Sequence, residues 1–125
     1  MHNREKKILA VVSDLFFSVK IGEAAKKAGI AIEFVTNGAA VMEKAKDHPC
    51  LIIFDLNFDA AEPLRLLRAL KADAELRKIN LLGYLSHVQA DLKQEAQATG
   101  CDSVIARSAF SMNLPQILKR HAGIP

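Results

Sequence analysis

The sequence has 125 residues, of which half are hydrophobic, and a formal net charge of +3. This length supports one domain with one core, so we predict a single domain over residues 1–125. The basic residues are scattered, which argues against direct binding of nucleic acid. No apolar run approaches the length of a transmembrane span, and Cys50 and Cys101 suit a reducing compartment, so we expect a cytoplasmic protein with no membrane partner.

Short apolar runs rich in β-branched residues alternate with longer amphipathic stretches. This rhythm is typical of a parallel sheet with crossover helices. Five strands are predicted, over residues 7–13, 31–35, 51–55, 80–85 and 103–106. We predict an α/β fold with a doubly wound parallel sheet flanked by five helices, in which a strand order of 2-1-3-4-5 would gather the strand ends around one crevice.

The five predicted helices are bounded by turn and capping residues. They cover residues 15–28, 37–46, a stretch from Pro63 to an end between 72 and 77, residues 88–99, and a last helix in which Pro115 falls in the first turn. Gly29 and Gly100 can end two of them in a left-handed conformation. Thr36 or Asn37 can cap the second helix, and Ser111 or Asn113 the last one.

Polar residues follow four of the predicted strands. They are Ser13 and Asp14 after the first, Asp55 at the end of the third, Ser86 after the fourth and Arg107 after the fifth. Right-handed crossovers place the carboxyl ends of all parallel strands on one rim, where a doubly wound sheet opens its ligand crevice. We therefore expect these side chains to converge on one site.

On these residues, the sequence resembles the receiver domain of bacterial response regulators over nearly its whole length. The resemblance implies a flavodoxin-like fold in which Asp55 accepts a phosphoryl group from a histidine kinase or a phosphotransfer protein. It implies that Ser86 hydrogen-bonds the phosphoryl oxygens and that Arg107 pairs with them. It also implies Mg²⁺, held by Asp14, Asp55 and the backbone carbonyl of Asn57.

The same resemblance implies a two-component signalling role rather than an enzyme. The phosphorylated domain would bind a downstream protein through a face built from helix four, strand five and the last helix. A homodimer through that face is compatible with the family pattern.

Four positions depart from the family pattern. Ser13 replaces an acid, Arg107 replaces a lysine, Val104 replaces an aromatic residue and Ser108 replaces a proline that follows a cis bond. They motivate a second hypothesis, a pseudo-receiver that acts as a protein-interaction module and transfers no phosphate, because Arg107 occupies the pocket and pairs permanently with Asp55.

A third hypothesis is a flavodoxin-like protein that binds a flavin or a nucleotide. It is disfavoured because the first strand-to-helix turn, SDLFFSVK, lacks glycine and contains an acid that repels phosphate.

Overall fold

A computed structural model describes residues 7–86 and 89–123. Its sheet has five parallel strands in the order β2-β1-β3-β4-β5, which confirms the predicted topology. The strands are β1 (Lys7–Val11), β2 (Ala31–Phe34), β3 (Leu51–Asp55), β4 (Leu81–Leu85) and β5 (Ser103–Ala106). Leu51 to Phe54 of β3 are fully buried, because helices cover both faces of this central strand.

Six helices surround the sheet in the described residues, one more than the sequence predicted. They are α1 (Leu15–Lys27), α2 (Gly38–Ala45), α3 (Pro63–Ala72), α4 (Ala90–Ala98), α5 (Arg107–Met112) and α6 (Leu114–His121). The helix missed by sequence analysis is α5, which starts directly after β5 and buries Phe110. Its sequence, RSAFSM, is six residues long, which is too short to show helical periodicity, so tertiary packing decides its structure.

The predicted start and stop signals mostly lie where expected. Gly29 adopts φ +72° just after α1, and Asn37, rather than Thr36, caps α2 by accepting a hydrogen bond from the Ala40 N–H at 2.9 Å. Pro63 lies in the first turn of α3, which ends at Ala72. The start predicted for the fourth helix, residue 88, lies outside the described residues.

Two apolar clusters fill the space on either side of the sheet. The first joins the sheet to α2, α3 and α4 and includes Val41, Leu67, Leu70 and Ala96. The second joins the opposite face to α1, α5 and α6 and includes Phe17, Ile21, Tyr84, Phe110 and Leu118. Within the described residues, no helix combines the length and the hydropathy needed to cross a membrane.

Candidate functional site

The candidate site lies at the carboxyl rim of the sheet, above the second apolar cluster. Side chains alternate between the two faces of a strand, so Asp55 projects to the same face as the buried Ile53 of that cluster. Asp55 is opposite Tyr84 in the register between β3 and β4. The loops that follow β1 and β4 and the start of α5 bring Asp14, Ser86 and Arg107 to this rim.

Asp14 uses both carboxylate oxygens within the fold. It is the N-cap of α1, where its Oδ1 accepts a hydrogen bond from the Phe17 N–H at 3.1 Å. Its Oδ2 accepts from the Arg107 guanidinium at 2.6 Å. The Phe17 N–H, and then the bond from Arg107, hold the pKa of Asp14 below its ordinary value.

Arg107 therefore forms its ion pair with Asp14, and no ion pair joins it to Asp55 in the described part of the chain. This corrects the expectation, central to the pseudo-receiver hypothesis, that the guanidinium would pair with Asp55. The reason is local geometry, because α5 begins at Arg107 and places it beside the start of α1. Arg107 still acts on Asp55 through space: burial raises the pKa of that carboxyl, and the Asn57 N–H and the charge of Arg107 partly oppose the rise.

An aromatic cluster of Phe17, Tyr84 and Phe110 supports Arg107 from below. The guanidinium carbon lies 4.6 Å from the centroid of the Phe17 ring, a distance typical of a cation–π contact. Phe17 packs on Tyr84 with ring centroids 5.0 Å apart, and Tyr84 stacks on Phe110 at the same separation. The Tyr84 hydroxyl is buried without a hydrogen-bond partner in the described part of the chain, and burial raises its pKa.

Asp55 is half-buried at the end of β3 and has one oxygen engaged. Its Oδ1 accepts a hydrogen bond from the Asn57 N–H at 2.9 Å, whereas its Oδ2 has no hydrogen-bond partner among the described residues. Burial is the main cause that raises the pKa of Asp55, and the negative charges of Asp14 and Asp59 add to it. Asp55 is therefore a half-buried carboxyl group with one oxygen unengaged among the described residues.

The Asn57 side chain connects the loops that follow β3 and β4. Its Oδ1 accepts from the Ser86 N–H at 2.8 Å and from the Ser86 hydroxyl at 3.1 Å. Its Nδ2 donates to Gln89 Oε1 at 2.8 Å. The Ser86 hydroxyl, predicted to face a phosphoryl group, is thus held by Asn57, two residues beyond Asp55.

Sequence analysis missed four contributors to this site: Phe17, Asp59, Tyr84 and Gln89. Asp59 could have been noticed, because an acid four residues after Asp55 in a short loop remains close to it. Phe17 and Tyr84 look like ordinary core residues in the sequence. Only their packing against Arg107 and beside Asp55 shows that they belong to the site.

The oxygen atoms expected to hold Mg²⁺ do not fit such an ion in this arrangement. Mg²⁺ requires nearly ideal octahedral geometry and usually binds one or two carboxylates. Here both oxygens of Asp14 are engaged, one of them by a cationic side chain, and the Asn57 carbonyl accepts from the Asp59 N–H at 3.0 Å. In residues 7–86 and 89–123, no group of three or more His, Cys, Asp or Glu side chains could hold a metal.

Replacing Asp55 with asparagine is expected to stabilise the fold at neutral pH. The folded pKa of Asp55 lies above its ordinary value of 3.8, so stability is lost as pH rises through that raised pKa and stays lost at pH 7. Asparagine keeps the oxygen that accepts from Asn57 but carries no charge. Urea denaturation should show Asp55→Asn to be more stable than wild type at pH 7, with the difference vanishing below about pH 3. Equal stabilities at pH 7 would contradict this assignment.

No protein-family model matches this sequence, and no curated protein matches it. Solved structures do match. The receiver domain of a signal transduction histidine kinase from Syntrophus aciditrophicus is 24% identical, covers 94% of this chain and 90% of its own, and has a TM-score of 0.80. The phosphorylated cyanobacterial phytochrome response regulator RcpA is 23% identical, with 94% and 91% coverage and a TM-score of 0.78.

A third match is the receiver domain of the sensor histidine kinase PA1611 from Pseudomonas aeruginosa, solved with a magnesium ion coordinated in its active-site cleft. It is 16% identical, covers 96% of this chain and 99% of its own, and has a TM-score of 0.81. The chain shares the fold of these domains, so the resemblance to receivers predicted from the sequence is confirmed at the level of the fold.

Proposed function

We propose that this chain, which has the receiver fold, works as a receiver in two-component signalling and accepts a phosphoryl group on Asp55. The observation that supports this most is the state of Asp55 itself. It lies half-buried at the carboxyl end of β3, one oxygen is oriented by the Asn57 N–H, and the other is unengaged among the described residues. Asp14, by contrast, has both carboxylate oxygens engaged.

The proposed reaction transfers a phosphoryl group from a histidine nitrogen of the donor protein to a carboxylate oxygen of Asp55. Oδ2 of Asp55 attacks the phosphorus of a phosphohistidine, the P–N bond breaks, and the imidazole nitrogen takes the bonding electrons and a proton from solvent. The product is an acyl phosphate on Asp55. Arg107 offsets the negative charge that accumulates, because it already acts electrostatically on Asp55. The Ser86 hydroxyl would bind a phosphoryl oxygen after its bond to Asn57 breaks.

Within this proposal, we expect Mg²⁺ to bind the site only weakly. Binding by Asp14, Asp55 and Asn57 stays a prediction, and it would require Arg107 to release Asp14. The cytoplasmic location, the downstream partner, the homodimer and the absence of enzymatic activity also stay predictions.

The pseudo-receiver remains the second candidate function, in a modified form. The Asp14–Arg107 ion pair and the bond between Ser86 and Asn57 both favour it, because they hold site residues away from an incoming phosphoryl group. A flavin or nucleotide site in the first strand-to-helix turn has less support, since the Asp14 carboxylate already caps the N-terminus of α1.

The test of the proposed function is phosphate uptake by the wild-type protein. Acetyl phosphate or phosphoramidate, each supplied with and without Mg²⁺, should add one hydroxylamine-sensitive phosphate per chain, measured by intact-protein mass spectrometry. No uptake from either donor, together with no transfer from a panel of autophosphorylated histidine kinases, would overturn the receiver proposal in favour of the pseudo-receiver.

An exposed apolar surface beside the site supports docking of a protein that carries the phosphoryl group. Leu15 is 78% exposed, Phe16 77% and Val19 54%, and all three lie in the first turns of α1, next to Asp14. Contiguous exposed apolar side chains are typical of protein interaction surfaces. This α1 surface is distinct from the face of helix four, strand five and the last helix predicted for the downstream partner.

A Phe16→Glu variant is expected to separate protein donors from small donors. In the docked complex, the glutamate would bury a charge where the wild type buries an aromatic ring. Transfer from a kinase that phosphorylates the wild type should therefore be slower by about 30-fold or more. Uptake from acetyl phosphate should stay within about twofold of wild type, because Phe16 does not line the site. The matched control is Gln116→Glu, which adds the same charge on α6. Equal slowing with both donors would count against docking at α1.

A further inference from the structure

We propose that the guanidinium of Arg107 is the resident cation of this site, and that a divalent metal ion binds at Asp14 only in competition with it. This inference does not rest on the receiver role, since it concerns cation binding and not phosphate transfer. It is based on the contacts among Asp14, Phe17 and Arg107.

Asp14 offers a metal ion no free oxygen in this arrangement. Its Oδ2 is 2.6 Å from the Arg107 nitrogen, a distance typical of a short charge-assisted hydrogen bond. Its Oδ1 is held by the Phe17 N–H, and losing that bond would uncap α1. A metal ion at Oδ2 would lie close to the guanidinium, and repulsion between the two positive charges would oppose the binding of both.

Arg107 is fixed by more than its ion pair. The Asp14 and Arg107 side chains are 35% and 34% exposed, so solvent weakens the ion pair taken alone. The contact with the Phe17 ring at 4.6 Å adds a second anchor, and Phe17 is itself held by Tyr84 and Phe110. A planar guanidinium can use an aromatic face and a carboxylate together, whereas a lysine ammonium does so less well.

The charges beside Asp55 are mixed. Asp14 and Asp59 are acidic, and Arg107 is paired with Asp14 at 2.6 Å. A divalent ion would neutralise this acidic group if it could reach Asp14. Because Arg107 already neutralises Asp14, the site gains less by taking up a metal ion.

The test is calorimetric titration with MgCl₂ alone. Methionine at position 107 keeps an apolar stem over Phe17 but removes the charge, so Arg107→Met should bind Mg²⁺ about tenfold or more tightly than wild type. Lys119→Met removes one exposed positive charge on α6 and should leave the affinity within about twofold of wild type. The double variant Asp14→Asn/Arg107→Met should lose the gain. Equal affinities of wild type and Arg107→Met, or a gain that persists in the double variant, would overturn the proposal.

A measurement on the wild-type protein covers the case in which the variant fails to fold. The NMR signal of the Arg107 Nε–Hε group should shift in step with Mg²⁺ binding, because the metal displaces the guanidinium from Asp14. Saturable Mg²⁺ binding that leaves this signal unchanged would refute competition. Neither experiment uses a phosphodonor, so the outcome is independent of whether Asp55 is phosphorylated.

Discussion

An Asp55→Asn variant is expected to take up no covalent phosphate from acetyl phosphate, phosphoramidate or a histidine kinase. An amide oxygen is too weak a nucleophile to displace the phosphoryl group, and no other described carboxylate has the same setting. Asp14 has both oxygens engaged, and Asp59 is exposed. Because Asp55→Asn should be the more stable protein at pH 7, loss of uptake cannot be explained by unfolding. Intact-mass measurement before and after incubation gives the answer.

Asp59→Asn is the matched control for this variant. Asp59 lies in the short 3₁₀ turn Asp59–Ala61, and its charge disfavours the ionised form of Asp55. Removing that charge should preserve phosphate uptake and reduce the repulsion of an anionic donor, so uptake should be as fast as in wild type or faster. Phosphate that persists in Asp55→Asn, or that disappears in Asp59→Asn, would show that the acceptor is another residue.

Phe110→Ala is expected to lower the free energy of unfolding by about 3–5 kcal/mol, a large part of the 5–15 kcal/mol typical of a domain. Phe110 is fully buried, stacks on Tyr84 with an interplanar angle of 11°, and packs on Phe17 with ring centroids 5.9 Å apart. Its removal leaves a cavity beside the Phe17 ring, which contacts Arg107. Urea denaturation at pH 7 measures the loss.

Met112→Ala is the control for that prediction, because Met112 lies on the same short helix but is 80% exposed. Its replacement should change the free energy of unfolding by no more than about 0.5 kcal/mol. If Phe110→Ala were equally mild, α5 would not be anchored by Phe110 and the support of Arg107 would have to come from elsewhere.

The sheet could be predicted from the sequence because a buried strand appears there as a short apolar run. The run from Leu51 to Phe54 is wholly apolar, which predicts a strand covered on both faces, and the structure buries it completely. The positions of Asp14, Asp55 and Arg107 at one rim also followed from the sequence, since parallel strands with right-handed crossovers end on the same edge. Helix α5 could not be predicted, because a segment of six residues is too short to show periodicity and depends on the burial of Phe110 in the core.

The amino-acid sequence by itself determined the alternation of strands and helices and the set of polar residues that follow the strands, because both depend on patterns along the chain. Only the tertiary structure decided how those residues pair. Arg107 had two carboxylates within the range of its side chain, and its choice of Asp14 over Asp55 depends on the start of α5, the Phe17 ring and the cap of α1. Such a choice depends on contacts between segments that are far apart in the chain, and those contacts leave no signal in local sequence.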